Sequence, residues 1–262
     1  MELITSRQNP NFKHIRKILE DKRYRTQYQE FWIDGVAFVN QAISNDWDVK
    51  RVLYVPESID SDFKREVLNK VAAYKKIEVS SGLYEALSNK NDIQGIGALV
   101  AMKYKINTLF NGFGVVLENI SNPGNLGMIM RTCAAFGIQN IYIINPAVDP
   151  FSIESVRSSM EAIFSLNIGV FDSVDKFAEA LKANKFLNIG TSLQKDSIEI
   201  KEFNQKFKLD DNTILWLGNE SKGMTQKAKD LCDKLINIKM SPNVDSLNIG
   251  ASAAIFIYEL VS

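Results

Sequence analysis

Cysteine is nearly missing from this chain. Cys133 and Cys232 stand alone among 262 residues, far apart and without metal-ligand spacing. That excludes a disulfide scaffold and argues for no metal. Their apolar helical surroundings make both small core residues rather than nucleophiles. No apolar run is long enough to cross a membrane, and the N-terminus lacks a secretory pattern, so the expected location is cytoplasmic, with no membrane partner. Repeats and low-complexity tracts are also missing. So is net charge: Lys plus Arg and Asp plus Glu number 31 each, and the whole-chain balance predicts no polyanionic partner.

What is present is ordinary globular material, locally organised. Hydrophobic residues at 45% and charged residues at 24% suffice to bury a core without staples. The length allows one large domain or two modest ones. Lys13, Arg16, Lys17, Lys22, Arg23 and Arg25 crowd one stretch, opposed only by Glu20 and Asp21. Such a cluster is a candidate footprint for a phosphate backbone. A solvated helix face accounts for the same charges, and charge alone favours it. The lone His14 lies in this run without an acid or nucleophile motif, which makes it a surface or RNA-backbone residue rather than a catalyst.

Strand-like and helical runs alternate along the chain. Residues 31–33 lead to a helix over 36–43, followed by strands at 51–55, 77–79 and 95–102 and a helix over 63–74. This reads as a small α/β domain over 1–102. The polar stretch 103–111 is placed as a linker. In 112–262, strand-like runs at 114–117, 141–144, 186–189, 214–217 and 235–238 alternate with helices, as a parallel sheet requires. The nearly all-apolar 247–260 predicts a helix buried on most sides, against its domain or another subunit.

Three turns in the second block follow an apolar strand and open a helix, where open α/β sheets bind ligands. The first, Asn119-Ile-Ser-Asn-Pro-Gly-Asn-Leu-Gly127, runs on to Arg131. Leu126, Ile129, Met130, Cys133 and Gly137 fall on one helical stripe, and Arg131 projects from the other side. That arginine can meet a phosphate, or be a surface residue behind a Pro-Gly turn; spacing leaves both open. The second turn, 217–223, superficially has the look of a phosphate-binding loop, but Met224 stands where its lysine would follow the second glycine. Taken alone it is a tight turn. In the third, Asp245 or Ser246 is the natural N-cap of the last helix. Asn248, beside so apolar a helix, needs a polar partner.

Together, residues 119–131, 217–223 and 240–248 resemble motifs 1, 2 and 3 of the SpoU (TrmH-like) family of the SPOUT superfamily, in order and at family-like spacing. Residues 148–159 resemble the family's connecting segment. Ile4-Thr-Ser-Arg7, Phe31-Trp-Ile-Asp-Gly35 and Gln94-Gly-Ile96 resemble the small substrate-binding domain that precedes catalysis in rRNA-directed members. The resemblance covers nearly the whole chain, and three motifs in register with both domains make it specific.

It implies an α/β architecture: a small RNA-binding domain, then a parallel-sheet methyltransferase domain closed by a C-terminal trefoil knot and built as a homodimer. The implied cofactor is S-adenosyl-L-methionine (SAM), lined by Leu217, Gly218, Asn219, Ile238, Met240 and Leu247, with Thr191 and Ser192 on a further loop. The implied catalytic set is Asn125, Arg131, Glu220, Ser246 and Asn248. A sugar hydroxyl is a poor nucleophile, so the site must align it with the methyl and withdraw a proton. In the family the arginine is thought to assist that activation. Arginine is protonated throughout the physiological range, so electrostatic positioning of phosphate and nucleophile is an equally good role. Asp34 replaces a common glutamate, Ser221 and Glu161 replace common glycines, and Lys239 replaces a common proline. Lys239 and Glu161 bear on the cofactor loop or the RNA surface more than on the reaction.

The expected function is SAM-dependent methylation of a ribose 2′-hydroxyl in large-subunit rRNA. Lys13, Arg16, Lys17, Arg23 and Arg25 would add salt-sensitive RNA affinity. A tRNA 2′-O-methyltransferase is the alternative within the class. A catalytically silent RNA-binding or ribosome-assembly protein is the alternative outside it, and its mark would be decay of the motif residues.

Overall fold

A computed structural model of the chain describes residues 2–88, 93–194 and 196–261, with side chains from Ile4 onward. The chain divides into two compact units, Met1–Met102 with Phe151–Phe164, and Lys103–Pro150 with Ser165–Ser262.

The first unit is built on a five-stranded mixed sheet. Its strands are β1 (Glu2–Ile4), β2 (Glu30–Asp34), β3 (Val49–Tyr54), β4 (Lys76–Val79) and β5 (Ile96–Ala101), in the order β1-β4-β3-β5-β2. β1, β4 and β3 run parallel, and β5 is antiparallel to β3 and β2. Helix Pro10–Glu20 starts where Asn9 accepts from the Asn11 amide and Pro10 fixes the first turn. It buries Phe12, Ile15 and Ile18 at i, i+3, i+6 spacing. The helix expected over 63–74 is shorter, Asp62–Asn69, with a separate 3-10 turn at Ala73–Lys75.

Phe151–Phe164 departs from the expected division, which placed it in the methyltransferase domain. Phe151 packs its ring 5.1 Å from Phe31, and Trp47 donates to the Phe164 carbonyl at 3.0 Å. Arg157 meets the buried Asp34 carboxylate at 3.2 Å, where Tyr84 and Ser88 also donate at 2.7 Å each. A buried carboxylate needs such partners, and the cation comes from over a hundred residues away.

The second unit carries an eight-stranded, wholly parallel sheet: β6 (Lys105–Ile106), β7 (Gly114–Glu118), β8 (Asn140–Ile144), β9 (Asn167–Phe171), β10 (Leu187–Thr191), β11 (Ile198–Glu199), β12 (Thr213–Leu217) and β13 (Lys234–Asn237). The order is β11-β13-β10-β12-β7-β8-β9-β6. Every residue of β7, β8 and β12 is buried, as strands covered on both faces must be. The polar stretch expected as a linker thus supplies an edge strand, and β9 is a strand the sequence reading did not find.

One face packs Phe177 against Phe171 and Trp216, ring centroids 4.6 and 4.8 Å apart. On the other, the last helix, Ile249–Val261, lies so close to helix Pro123–Ala135 that a Cβ on Gly250 would meet Met128 Sδ at 2.7 Å. Leu126, Ile129, Met130 and Cys133 form the buried stripe, and Arg131 is exposed. Gly137 lies beyond the helix, which ends at Ala135, and takes φ +74°. From β7 the chain winds outward through β8 and β9, then returns to build β12 and β10 on β7's other side. The switch point therefore lies between β7 and β12, and the turns after these two strands face one another.

Among the described residues, no helix is long and apolar enough to cross a membrane.

Candidate functional site

The turn after β12 closes on itself. Asn219 and Gly223 exchange backbone hydrogen bonds at 3.1 and 2.9 Å, and Asn219 Oδ1 accepts from the Ser221 and Lys222 amides. Gly223 has φ +67°. A Cβ on Gly218 would fall 2.1 Å from the Met224 nitrogen, so only glycine lets the turn shut. Asn219 Nδ2 donates to the Asn119 carbonyl at 2.9 Å, joining this turn to the one after β7.

A buried carboxylate fixes the far end. Glu118, 1% exposed at the tip of β7, accepts from the Thr225 amide at 2.9 Å and from its hydroxyl at 2.6 Å. Thr225 in turn caps helix Gln226–Lys229. Sequence reasoning missed Glu118, although a charge ending an otherwise apolar strand was its signal.

Glu220 gathers the two turns and the last helix. Its Oε2 accepts from Ser121 at 2.9 Å and Asn219 at 3.2 Å, and its Oε1 from Asn125 at 3.3 Å. Asn125 Oδ1 accepts from Asn248 Nδ2 at 3.1 Å. Burial pushes the Glu220 carboxyl upward, but hydrogen bonds from its own backbone, Asn125 and Ser121 outweigh this and hold it below its ordinary range. It is an ionised anchor at neutral pH, poorly matched to a general base's task.

One expectation about the last helix is corrected. Its N-cap is Asn248, whose Oδ1 accepts from the Gly250 amide at 2.8 Å and the Ala251 amide at 3.4 Å. Ser246 and Asp245, expected there, are exposed residues of the preceding loop, too early to reach the first free amides. Asn248 therefore caps with its oxygen and reaches its polar partner, Asn125, with its nitrogen.

Three hollows surround the 219–223 turn. The first, about 540 Å³, is walled by Leu217, Gly218, Asn219, Ile238, Met240 and Leu247, with Thr191 and Ser192 beside them. Thr191 and Ser192 are tied down locally, the former donating to the Trp216 carbonyl at 3.0 Å and the latter accepting from the Gln194 amide at 3.2 Å. All eight residues expected around the cofactor thus border one space of small-molecule size. The second hollow, about 560 Å³, lies between the turns after β7, β8 and β12. The third, about 340 Å³ and polar, holds Asn125, Glu220, Ser246 and Asn248. Among the described residues no cluster of His, Cys, Asp and Glu is arranged to hold a metal ion. Burial pushes the thiols of Cys133 and Cys232 up to about 12, which leaves both inert at neutral pH.

Arg131 alone of the expected catalytic set borders none of the three hollows. Its guanidinium is exposed, without a hydrogen bond or ion pair among the described residues, and shares a helix face with exposed Met128 three residues before it.

In the first unit, Lys13, Arg16 and Lys17 line a surface hollow of about 320 Å³, and Arg23 is exposed nearby in sequence. Arg25, expected beside them on RNA, is corrected: only 5% exposed, it donates to the carbonyls of Ile18 at 2.7 Å and Leu19 at 3.1 Å. Its charge closes a helix end. His14 is likewise held internally, between the Tyr24 hydroxyl at 3.0 Å and the Glu30 carboxylate at 2.7 Å.

Comparison with known proteins recognises two parts of the chain. Residues 112–258 match the model of the SpoU rRNA Methylase family, and residues 9–98 match the MRM3-like substrate binding domain. The chain is 28% identical over 268 residues to the 23S rRNA (uridine(2479)-2′-O)-methyltransferase of Streptomyces viridochromogenes, covering 98% of this chain and 91% of that protein. It is 26% identical to the 23S rRNA (guanosine(2553)-2′-O)-methyltransferase RlmP of Bacillus subtilis, covering 99% of each. Among solved structures, the SpoU methyltransferase AviRb of Streptomyces viridochromogenes in complex with the cofactor AdoMet superposes with a TM-score of 0.83 at 28% identity, over 97% of this chain and 98% of that one.

Proposed function

The chain belongs to the SpoU rRNA methylase family, and from that membership and the site geometry we propose that it transfers the methyl group of SAM to a ribose 2′-hydroxyl of large-subunit ribosomal RNA. The observation that carries this reading is the convergence of the ends of β10 and β12 with the loop between β13 and the last helix on one hollow of about 540 Å³, which shares Glu220, Ser246 and Leu247 with the polar hollow of the Asn248–Asn125–Glu220 relay.

The residues fit the cofactor. Leu217, Ile238, Met240 and Leu247 supply apolar walls for a flat ring, and the polar hollow opens beside them across Glu220, Ser246 and Leu247. When bound, SAM supplies a methyl group already activated by its sulfonium. The chain's own task is then to hold a sugar hydroxyl in line and ease its proton away. Glu220, kept ionised, fixes Asn125 and Ser121 at the edge of the polar hollow. Ser246 lines it with a hydroxyl that has no hydrogen-bond partner among the described residues, and Asn248 sets the orientation of Asn125. Arg131, exposed and without a hydrogen bond or ion pair among the described residues, suits a substrate phosphate.

The relatives named for 23S rRNA span the whole chain, which favours rRNA over tRNA. The first unit, with Lys13, Lys17 and Arg23 exposed and Arg16 exposed beside its ion-pair partner Glu20, suits recognition of RNA shape. Such a substrate is consistent with a cytoplasmic enzyme acting on assembling ribosomes. Exposed Met128, Phe136, Ile255, Tyr258 and Val261 form an apolar face on the two packed helices, with Tyr258 edge-on to Phe136. We propose that a second copy covers it, bringing Arg131 to the interface. The placing of β12 between β10 and β7, with β13 beyond β10, supports the knotted passage expected of this domain.

The test is transfer of labelled methyl from SAM to unmodified rRNA and to tRNA in parallel, with Arg131→Ala as control. Label on rRNA that disappears in the variant is the expected result. Label on tRNA alone overturns the substrate, and neither transfer nor SAM binding overturns the reaction.

A further inference from the structure

The hollow of about 560 Å³ between the turns after β7, β8 and β12 is used by nothing described so far. Its walls are mainly apolar: Ile120, Pro146, Val148 and Met224. The residues it shares with its neighbours define its place. Asn219, Lys222, Gly223 and Met224 also border the cofactor hollow, and Ser121 also borders the polar hollow of Asn125 and Glu220. A polar cleft thus adjoins an apolar one across a single serine. A nucleotide has that layout, a polar sugar joined by one bond to a flat, largely apolar base.

We infer that this apolar hollow receives the base of the nucleotide whose ribose is methylated. The inference rests on the methyltransfer reading and deepens it. A stacked base cannot enter a cleft of this kind, so the target nucleotide is turned out of its helix or drawn from an unpaired loop. Burying the ring faces between Pro146, Val148 and Met224 fixes the glycosidic bond and so points the ribose at the polar hollow. The rim supplies the polar contacts. The Asn119 side-chain carboxamide, carried on a backbone with φ +56°, has no hydrogen-bond partner among the described residues and offers both a donor and an acceptor to a base edge. Lys222, also without a side-chain partner among them, sits where a flanking phosphate would pass. Thr225 contributes nothing polar, because Glu118 has taken its hydroxyl.

The test fills the hollow. Val148→Trp, with Ala147→Phe as a second variant, is assayed on an rRNA fragment that the wild type methylates. A version of that fragment lacking the base at the methylated nucleotide is run beside it. SAM affinity by calorimetry and fragment affinity by filter binding are measured for each protein. An apolar pocket of this kind discriminates by roughly tenfold to a hundredfold, so the wild type is expected to lose about that much in kcat/KM on the base-free fragment. The filled variants are expected to lose as much on the intact fragment and to fall no more than about threefold further on the base-free one, because the two changes remove the same contact. SAM affinity is expected to stay unchanged. Equal losses on both fragments, full activity of both variants on the intact one, or loss of SAM affinity in both variants would each overturn the inference. A wild type that methylates no RNA would sink the methyltransfer reading itself, and this inference with it.

Discussion

Asn248 does two jobs with one side chain, and they can be separated. Its oxygen caps the last helix and its nitrogen orients Asn125, which holds Glu220. Asn248→Ala removes both. Loss of an N-cap costs about 1 kcal/mol and loss of one neutral hydrogen bond about the same, so the expected destabilisation is about 2 kcal/mol. In a domain of this size that lowers the melting temperature by roughly 4–8 °C. Asn248→Asp keeps an acceptor at the helix start and gains about 0.3–1 kcal/mol from the helix dipole. It forfeits the donor to Asn125 and adds a second carboxylate beside the relay that ends at Glu220. Its net destabilisation is therefore expected to stay within about 1 kcal/mol, while methyl transfer falls as far as in the alanine variant. Calorimetric melting of the ligand-free proteins, paired with single-turnover methyl transfer, reads both. If Asn248→Asp melts as early as Asn248→Ala, the capping assignment is wrong. If it methylates at the wild-type rate, the relay is not part of the site's positioning.

Gly218→Ala places a methyl 2.1 Å from the Met224 backbone nitrogen, so the turn must open; SAM affinity by calorimetry is expected to fall by about a hundredfold or more, as a strained backbone at the site wall implies. Arg25→Ala leaves the Ile18 and Leu19 carbonyls without their buried donor and is expected to cost about 2 kcal/mol by denaturant unfolding, with the salt dependence of RNA binding unchanged. Charge reversal at Lys13 and Lys17 is expected to do the opposite, flattening the salt dependence and sparing stability. Glu220 titrates below its ordinary range, so its stabilising contribution is whole above the unfolded-chain value, about 4.3, and is lost only as pH falls through the lower folded value. The pH–rate profile is then expected to show no Glu220 inflection between about pH 5 and 8; an inflection there that vanishes in Glu220→Gln would refute its role as an ionised anchor.

Much of the second unit was legible because its signals are local. The runs at 114–117, 141–144 and 214–217 are apolar throughout, which is how a strand buried on both faces reads, and the first and last are followed by turns whose asparagines and glycines announce themselves. The residues expected around the cofactor come from three segments at one end of one sheet, at and just after the ends of β10 and β12 and between β13 and the last helix, and parallel winding alone collects them there. β9 was illegible for an opposite reason. Gly169 interrupts its apolar run, and glycine stands there because a Cβ would meet the ring of Tyr142, on the neighbouring strand, at 2.7 Å. A residue that weakens a strand locally is here the one that lets two strands pair.

The sequence by itself determined the alternation of strands and helices, the covered sheet, the turns that line the cofactor hollow and the family to which they belong. These follow from periodicity and from residues whose conformational demands are their own. Tertiary structure alone decided the rest. Arg157 completes the Asp34 cluster and draws Phe151–Phe164 into the first unit. Arg25 turns inward from a basic run whose other members stay exposed. Asn248, not Ser246, caps the last helix while reaching Asn125. Ser121 and Glu220, 99 residues apart, meet at the edge of the polar hollow. In each case a charged or polar side chain has several satisfactory solutions in isolation. Which one it takes depends on the partners that packing brings within hydrogen-bonding distance, and no local pattern encodes that.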